Sequence, residues 1–121
     1  MATITATWTE AVEGRAAATI SAGATATIDI DLDNLGADRA DAQIGITIGS
    51  ASSVTVNVFG SPDSGTTDDT TALISYTVTA NDRRTIVLDG AFRQISITNN
   101  DGSNATGNVS VYYAWRTWVS A

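Results

Sequence analysis

The sequence predicts an all-β chain: an antiparallel β-sandwich, jelly-roll-like, of about eight strands. Three observations carry this. Apolar residues recur with a period of two rather than 3.6. Turn residues, chiefly glycine, asparagine and aspartate, interrupt the alternation at short intervals. The one proline, Pro62, lies in the longest polar loop, where it interrupts no ladder.

Taken in order, Ile4, Ala6 and Trp8 alternate with Thr3, Thr5, Thr7 and Thr9 and make the first half-buried strand. Residues 10–15 break the pattern and suit a turn or a single helical turn. Ala24, Ala26, Ile28, Ile30 and Leu32 then alternate with Thr25, Thr27, Asp29, Asp31 and Asp33, and the stretch from Asp33 to Asp41 has room for another helical turn. Further rows follow in Ile44, Ile46 and Ile48, in Val54, Val56 and Val58, in Ile74, Tyr76 and Val78, and in Ile86 and Leu88. Phe92, Ile95 and Ile97 step unevenly and predict an irregular strand, and Val109, Val111, Tyr113 and Trp115 form the closing one. Gly23, Gly36, Gly49, Gly90 and Gly102 punctuate the joints. With no linker and no repeat of fixed period, residues 1–121 are expected to form a single β-sandwich domain. A chain of 121 residues buries roughly two-thirds of its unfolded surface and holds a core without cross-links.

Composition narrows the chemistry. The chain has no histidine and no cysteine, and its six basic residues are all arginine. Imidazole–hydroxyl and imidazole–thiol nucleophiles, lysine Schiff bases and ordinary zinc sites are therefore unavailable. Only carboxylates and hydroxyls remain, so no enzymatic role, cofactor or metal is expected. Thirteen carboxylates against six arginines give a net charge of −7, which repels a phosphate backbone. Arg83 and Arg84 are adjacent, but neighbours on a strand point to opposite faces and do not make a phosphate site; they read as solvated loop or strand-edge arginines. No apolar run approaches the ~20 residues of a spanning helix, and Met1 to Thr5 begin no secretory signal, so neither a membrane nor export is expected.

Three clusters merit weighing. Asp29, Asp31 and Asp33 fall at alternate positions, which on one strand would line up three carboxylates about 7 Å apart on the solvent face. Calcium is one reading; an EF-hand is excluded, because Asn34 and Ala40 stand where that loop needs glycine and glutamate. A charged face that discourages sheet-to-sheet pairing is the plainer one. Asp63, Asp68 and Asp69 sit in the loop SPDSGTTDDTT, where carboxylates and hydroxyls suit calcium, a sugar or simple solvation. In the closing strand Tyr112, Arg116 and Trp118 share the row opposite Tyr113 and Trp115, so both faces carry aromatics. Tyrosine, tryptophan and arginine are the types enriched where proteins bind one another. Trp8, Tyr112, Arg116 and Trp118 are accordingly the candidate interface residues, against the plain alternative that Trp118 caps the end of the sandwich.

The run from SVTVNVFGSPDSG through TALISYTVTANDRRTIVLDGAFRQISITNND to GNVSVYYAW resembles small accessory structural proteins of tailed bacteriophage virions. That resemblance implies a capsid decoration (cement) protein, docked on the major capsid protein or another virion protein, made in the host cytoplasm and located in the virion. It further implies a homo-oligomer, a trimer being usual for such proteins. A head or tail fibre or spike component asks for the same fold. A carbohydrate- or receptor-binding module is a separate class, with exposed aromatics stacked on sugar rings, and an enzyme working by carboxylates alone is the remaining one.

Overall fold

The computed structural model describes residues 4–8, 12–14, 19–37, 39–63 and 69–120, with the backbone alone for residues 4–8, 12–14 and 116–120. Nine strands and one helical turn are found among them: β1 (Ile4–Trp8), β2 (Val12–Gly14), β3 (Thr25–Asp31), α1 (Leu32–Leu35), β4 (Arg39–Ile46), β5 (Val54–Ser61), β6 (Ile74–Val78), β7 (Asp82–Asp89), β8 (Phe92–Asn99) and β9 (Val109–Ser120). Every pairing is antiparallel. One sheet runs β1-β9-β4-β7 with β2 also on β9; the other runs β3-β8-β5-β6. β1 and β2 pair with successive stretches of the same strand, Arg116 to Ser120 and Val111 to Tyr113. Counted as one interrupted strand they reduce the set to eight, ordered 1-8-3-6 and 2-7-4-5, which is a jelly roll.

The core lies between the sheets and is built by period-two alternation. Ala40, Ala42, Ile44 and Ile46 of β4, Ile86 and Leu88 of β7, and Val109 and Val111 of β9 come from one side. Ile30 of β3, Val54, Val56 and Val58 of β5, Val78 of β6, and Ile95 and Ile97 of β8 come from the other. β-branched residues dominate because they suit the pleated surface and lose little rotamer freedom there. Tyr113 and Trp115 pack against this core with ring centroids 6.1 Å apart, planes tilted by 41°. At the open side, where β6 and β7 end their sheets, Arg84 lies over the Tyr76 ring, 3.9 Å from its centroid. Burial pushes the Tyr76 hydroxyl pKa up, against the opposing charge of Arg84.

Several expectations need correction. Residues 12–14 form a strand, not a turn, because the free edge of the twelve-residue β9 offers unpaired backbone groups to both β1 and β2. The registers of β1 and β2 on β9 sum to 124 and 125, so the two are offset by one residue. β4 starts at Arg39, five residues ahead of Ile44, its early inward positions held by Ala40 and Ala42. β8 pairs continuously with β3 and β5 and carries no irregularity. The uneven step arises because Arg93, not Phe92, takes the position in line with Ile95 and Ile97. Of the two settings expected for Arg83 and Arg84, a loop or a strand edge, the structure has the second: both lie in β7, which ends its sheet.

The row Asp29, Asp31 and Asp33 does not exist as a strand face. Asp31 is the last residue of β3 and caps α1, its Oδ1 accepting from the Asn34 N–H at 3.0 Å. The chain turns there, so Asp33 falls within the helical turn, which ends at Gly36 with φ 66°, a left-handed value that favours glycine. Asp29 alone stays out on the strand, accepting from Gln94 Nε2 at 3.0 Å.

One end of the sandwich is tied by a polar knot. Asn99 is buried, and its Nδ2 donates to the carbonyls of Asn104 at 2.8 Å, Ile20 at 3.2 Å and Ser21 at 3.3 Å. Its Oδ1 accepts from the Asp101 N–H at 2.9 Å. Thr106 joins in, accepting from the Ile20 N–H at 2.9 Å and donating to the Gly107 carbonyl at 2.8 Å. The Asp101 carboxylate gathers the N–H groups of Ser103, Asn104 and Ser52 and the Asn104 side chain. Those donors, Ser103 first, hold its pKa below the ordinary 3.8.

Two outcomes follow from this packing. Ile44→Ala, at a fully buried position, is expected to lower unfolding stability by about 2–5 kcal/mol in urea titration. For Asp101 the folded carboxyl is the stronger acid, so its contribution is present above pH 3.8 and disappears as pH falls through the lower folded value. The stability gap between wild type and Asp101→Asn should therefore be flat through neutral pH and close below pH 3.8, read by denaturation at a series of pH values.

Candidate interaction surfaces

The outer face of the five-stranded sheet collects the residues singled out in the sequence. Register puts Tyr112 between Gln43 of β4 and Glu13 of β2. It puts Arg116 between Arg39 of β4 and Trp8 of β1, and Trp118 across from Ala6. Trp8, Tyr112, Arg116 and Trp118 thus occupy one parity of one sheet, although their positions in sequence are up to 110 residues apart (118 minus 8). The Tyr112 side chain is 45% exposed, while its neighbour Tyr113 turns to the core. The side chains of Trp8, Arg116 and Trp118 lie outside the described part.

Sequence reading missed one member of this face. Val87 stands between the buried Ile86 and Leu88 and is 49% exposed, opposite Asp41 of β4. The alternation of Ile86 and Leu88 held the signal, since the residue between two inward positions must point out. Around it the face is mixed: Arg39 Nη2 lies 3.6 Å from Asp41 Oδ1, and Thr85, Gln43 and Ala114 supply small or neutral surface.

The two described carboxylates of the polar loop, Asp63 and Asp69, bond to different partners. Ser61 Oγ donates to Asp63 Oδ1 at 2.8 Å, and Asp69 Oδ2 accepts from the Gly60 N–H at 3.1 Å, so each pins its own stretch of chain. Asp68 lies outside the described residues. No group of three or more acidic side chains placed to hold a metal occurs among the described residues.

Two open depressions are better formed. One, of about 410 Å³, is lined by Gly45, Thr47, Asn81, Asp82, Arg83 and Ser110. The other, of about 290 Å³, is walled by Gly60, Pro62, Asp69, Leu73, Gly90 and Arg93. In the second the guanidinium of Arg93 fits a slot that two glycines keep open. A Cβ at Gly90 would come within 2.7 Å of Nη2, and one at Gly60 within 3.0 Å of Nη1. Nη1 donates to its own neighbour's carbonyl, Phe92, at 2.7 Å, and Nη2 lies 3.5 Å from Asp89. The guanidinium thereby braces the β7–β8 turn while lying close against Gly60 of β5. Among the described lining residues each depression has a single carboxylate, Asp82 in the first and Asp69 in the second.

No protein-family model matches the chain, and no curated protein sequence is similar to it. Among solved structures it is similar to a subunit from Bacillus endospore appendages, which form a family of disulfide-linked pili. The likeness has a TM-score of 0.53 at 16% identity and covers 95% of this chain and 89% of that one. It shares the fold, while the cysteines that disulfides require are absent here. Weaker likenesses are to a CBM4 structure, with a TM-score of 0.39 at 14% identity over 96% of this chain and 78% of that one, and to a 4-O-methyl-alpha-glucuronidase. The latter has a TM-score of 0.37 at 18% identity over 84% of this chain and 14% of that one.

Proposed function

We propose that residues 1–121 form one non-catalytic structural domain that works by assembly, and that its role is capsid decoration: docking on the shell of a tailed-phage virion and stabilising it. The observation that carries this reading is the convergence of Trp8, Tyr112, Arg116 and Trp118 on one parity of the outer sheet. Aromatic residues beside arginine are what the buried centre of a protein interface is made of. The acidic balance of −7 fits many copies crowding a particle without aggregating. The partner is the major capsid protein or another virion protein, and the location is the virion.

A second reading is favoured by the shared fold with a pilus subunit: a component of a fibre or filament, built from many copies. The two predict different positions for the same epitope. Immunogold labelling of purified particles with an antibody against this chain is expected to decorate heads evenly; label on fibres, spikes or free filaments selects the second reading. Absence of label from every particle and filament removes both.

The contact surface is tested separately. A Tyr112→Ala, Trp118→Ala double variant is expected to bind particles at least about tenfold more weakly, in cosedimentation with shells lacking the protein, with an unchanged far-ultraviolet circular dichroism spectrum. Wild-type binding by that folded variant would exclude the closing strand as the contact.

A further inference from the structure

We propose that two copies of this chain pair antiparallel through β7, continuing the five-stranded sheet across a two-fold axis at Ile86. β7 pairs with β4 along its whole length and ends its sheet, so its other edge meets no strand among the described residues. Its eight residues, DRRTIVLD, contain neither proline nor glycine, and nothing in them forbids a further ladder.

Edge strands are commonly protected by charge, and the arrangement of charge here decides what the edge can accept. Ile86 and Leu88 are buried, so Arg83, Thr85, Val87 and Asp89 take the outward positions. The outward row is thus positive at one end and negative at the other. A two-fold axis perpendicular to a sheet keeps outer faces outer, so residues brought opposite one another must share parity. With Ile86 on the axis, opposed residue numbers sum to 172: Arg83 faces Asp89 of the second copy, and Thr85 faces its Val87. Symmetry repeats both contacts. Shifting by one allowed step, to sums of 170 or 174, sets Arg83 against Val87 or against residue 91 and leaves its charge unmatched. One register alone satisfies both ends.

The groups concerned are free to respond. Arg83 is exposed and forms no ion pair among the described residues, and the Asp89 side chain is 79% exposed with Arg93 as its neighbour at 3.5 Å. The pairing would also cover Val87, now 49% exposed. On the inner face Arg84 lies over Tyr76 and so does not obstruct the edge. The other two edges compared by the same rule do worse: β3 carries only negative charge, in Asp29 and Asp31, and β6 is five residues long. Of these three edges, β7 is the self-complementary one.

The inference goes beyond the docking role and does not depend on it: a dimer can form whatever the particle, and particle labelling is unaffected if it does not. Because the chain has no cysteine, single-cysteine variants read the register directly. Thr85→Cys and Val87→Cys replace exposed side chains. Under mild oxidation their mixture is expected to give a disulfide-linked dimer within the time in which either variant alone gives little. Equal cross-linking of each variant alone, or none in the mixture, overturns the proposal. In sedimentation, Arg83→Asp is expected to weaken the wild-type dimer at least about tenfold, since it opposes two carboxylates at each end of the ladder. Arg83 faces Gly45 within its own sheet, so the fold should hold, as circular dichroism will check. A folded Arg83→Asp protein that dimerises like wild type also overturns it.

Discussion

The pairing of β9 is the constraint on which the rest of this structure depends. Its first eight residues ladder with β4 on one edge, while its other edge takes β2 and then β1. The amino-terminal strands therefore have no sheet to join until the carboxy-terminal strand is in place. Burial follows the same dependence. Val109 and Val111 complete the inner face opposite the valines of β5 and the isoleucines of β8, and without them that core would lie open to water. A fold closed by its last strand is dominated by contacts between distant residues, so its loop-closure entropy falls due before most of its hydrophobic gain.

The second constraint is that every polar group trapped at the ends must be answered. Asn99 occupies an inward position of β8, in line with Ile95 and Ile97, yet it is buried. An amide there is tolerable only because four hydrogen-bond partners surround it. Those partners come from the segment at Ile20 and Ser21 and from the loop at Asp101 to Asn104, so the amide fixes the relative placement of two connections that share no strand. At the other end Arg93, in its slot between Gly60 and Gly90, braces the β7–β8 turn through the Phe92 carbonyl and Asp89. Polar residues in line with the core thus act as end-plates that set how the loops leave the sheets.

What the residues disclosed and what they hid divide along the same physical line. Alternation of large apolar residues announced β5, β6 and the first half of β9, because burial of one face enforces a period of two. It failed where alanine or a charged side chain held the inward position, as Ala40 and Ala42 do in β4 and Arg93 does in β8. It failed again at Asp31, where a capping hydrogen bond ended a strand whose pattern ran on to Asp33. The candidate interface was legible as residue types and parity within the closing strand. Trp8 was grouped with it by residue type alone, and the register of β1 on β9 is what joins the two ends of the chain.

On these two proposals the surfaces would divide the work of assembly. An isologous pair through β7 is closed: once two copies meet, that edge is used, and the sheet grows no further. Indefinite growth along the hydrogen-bonding direction would instead need β7 of one copy to meet β1 and β2 of the next. Strand directions permit it, because all neighbours in the sheet alternate. Charge discriminates between the two. Arg83 and Asp89 answer each other at both ends across a two-fold axis, whereas the β1–β2 edge carries one charged residue, Glu13 of β2, which could answer Arg83 but not Asp89. Pairing through β7 would therefore limit the sheet to two copies and would leave the aromatic positions of β9 and β1, on the side of each sheet away from β7, available to a different protein.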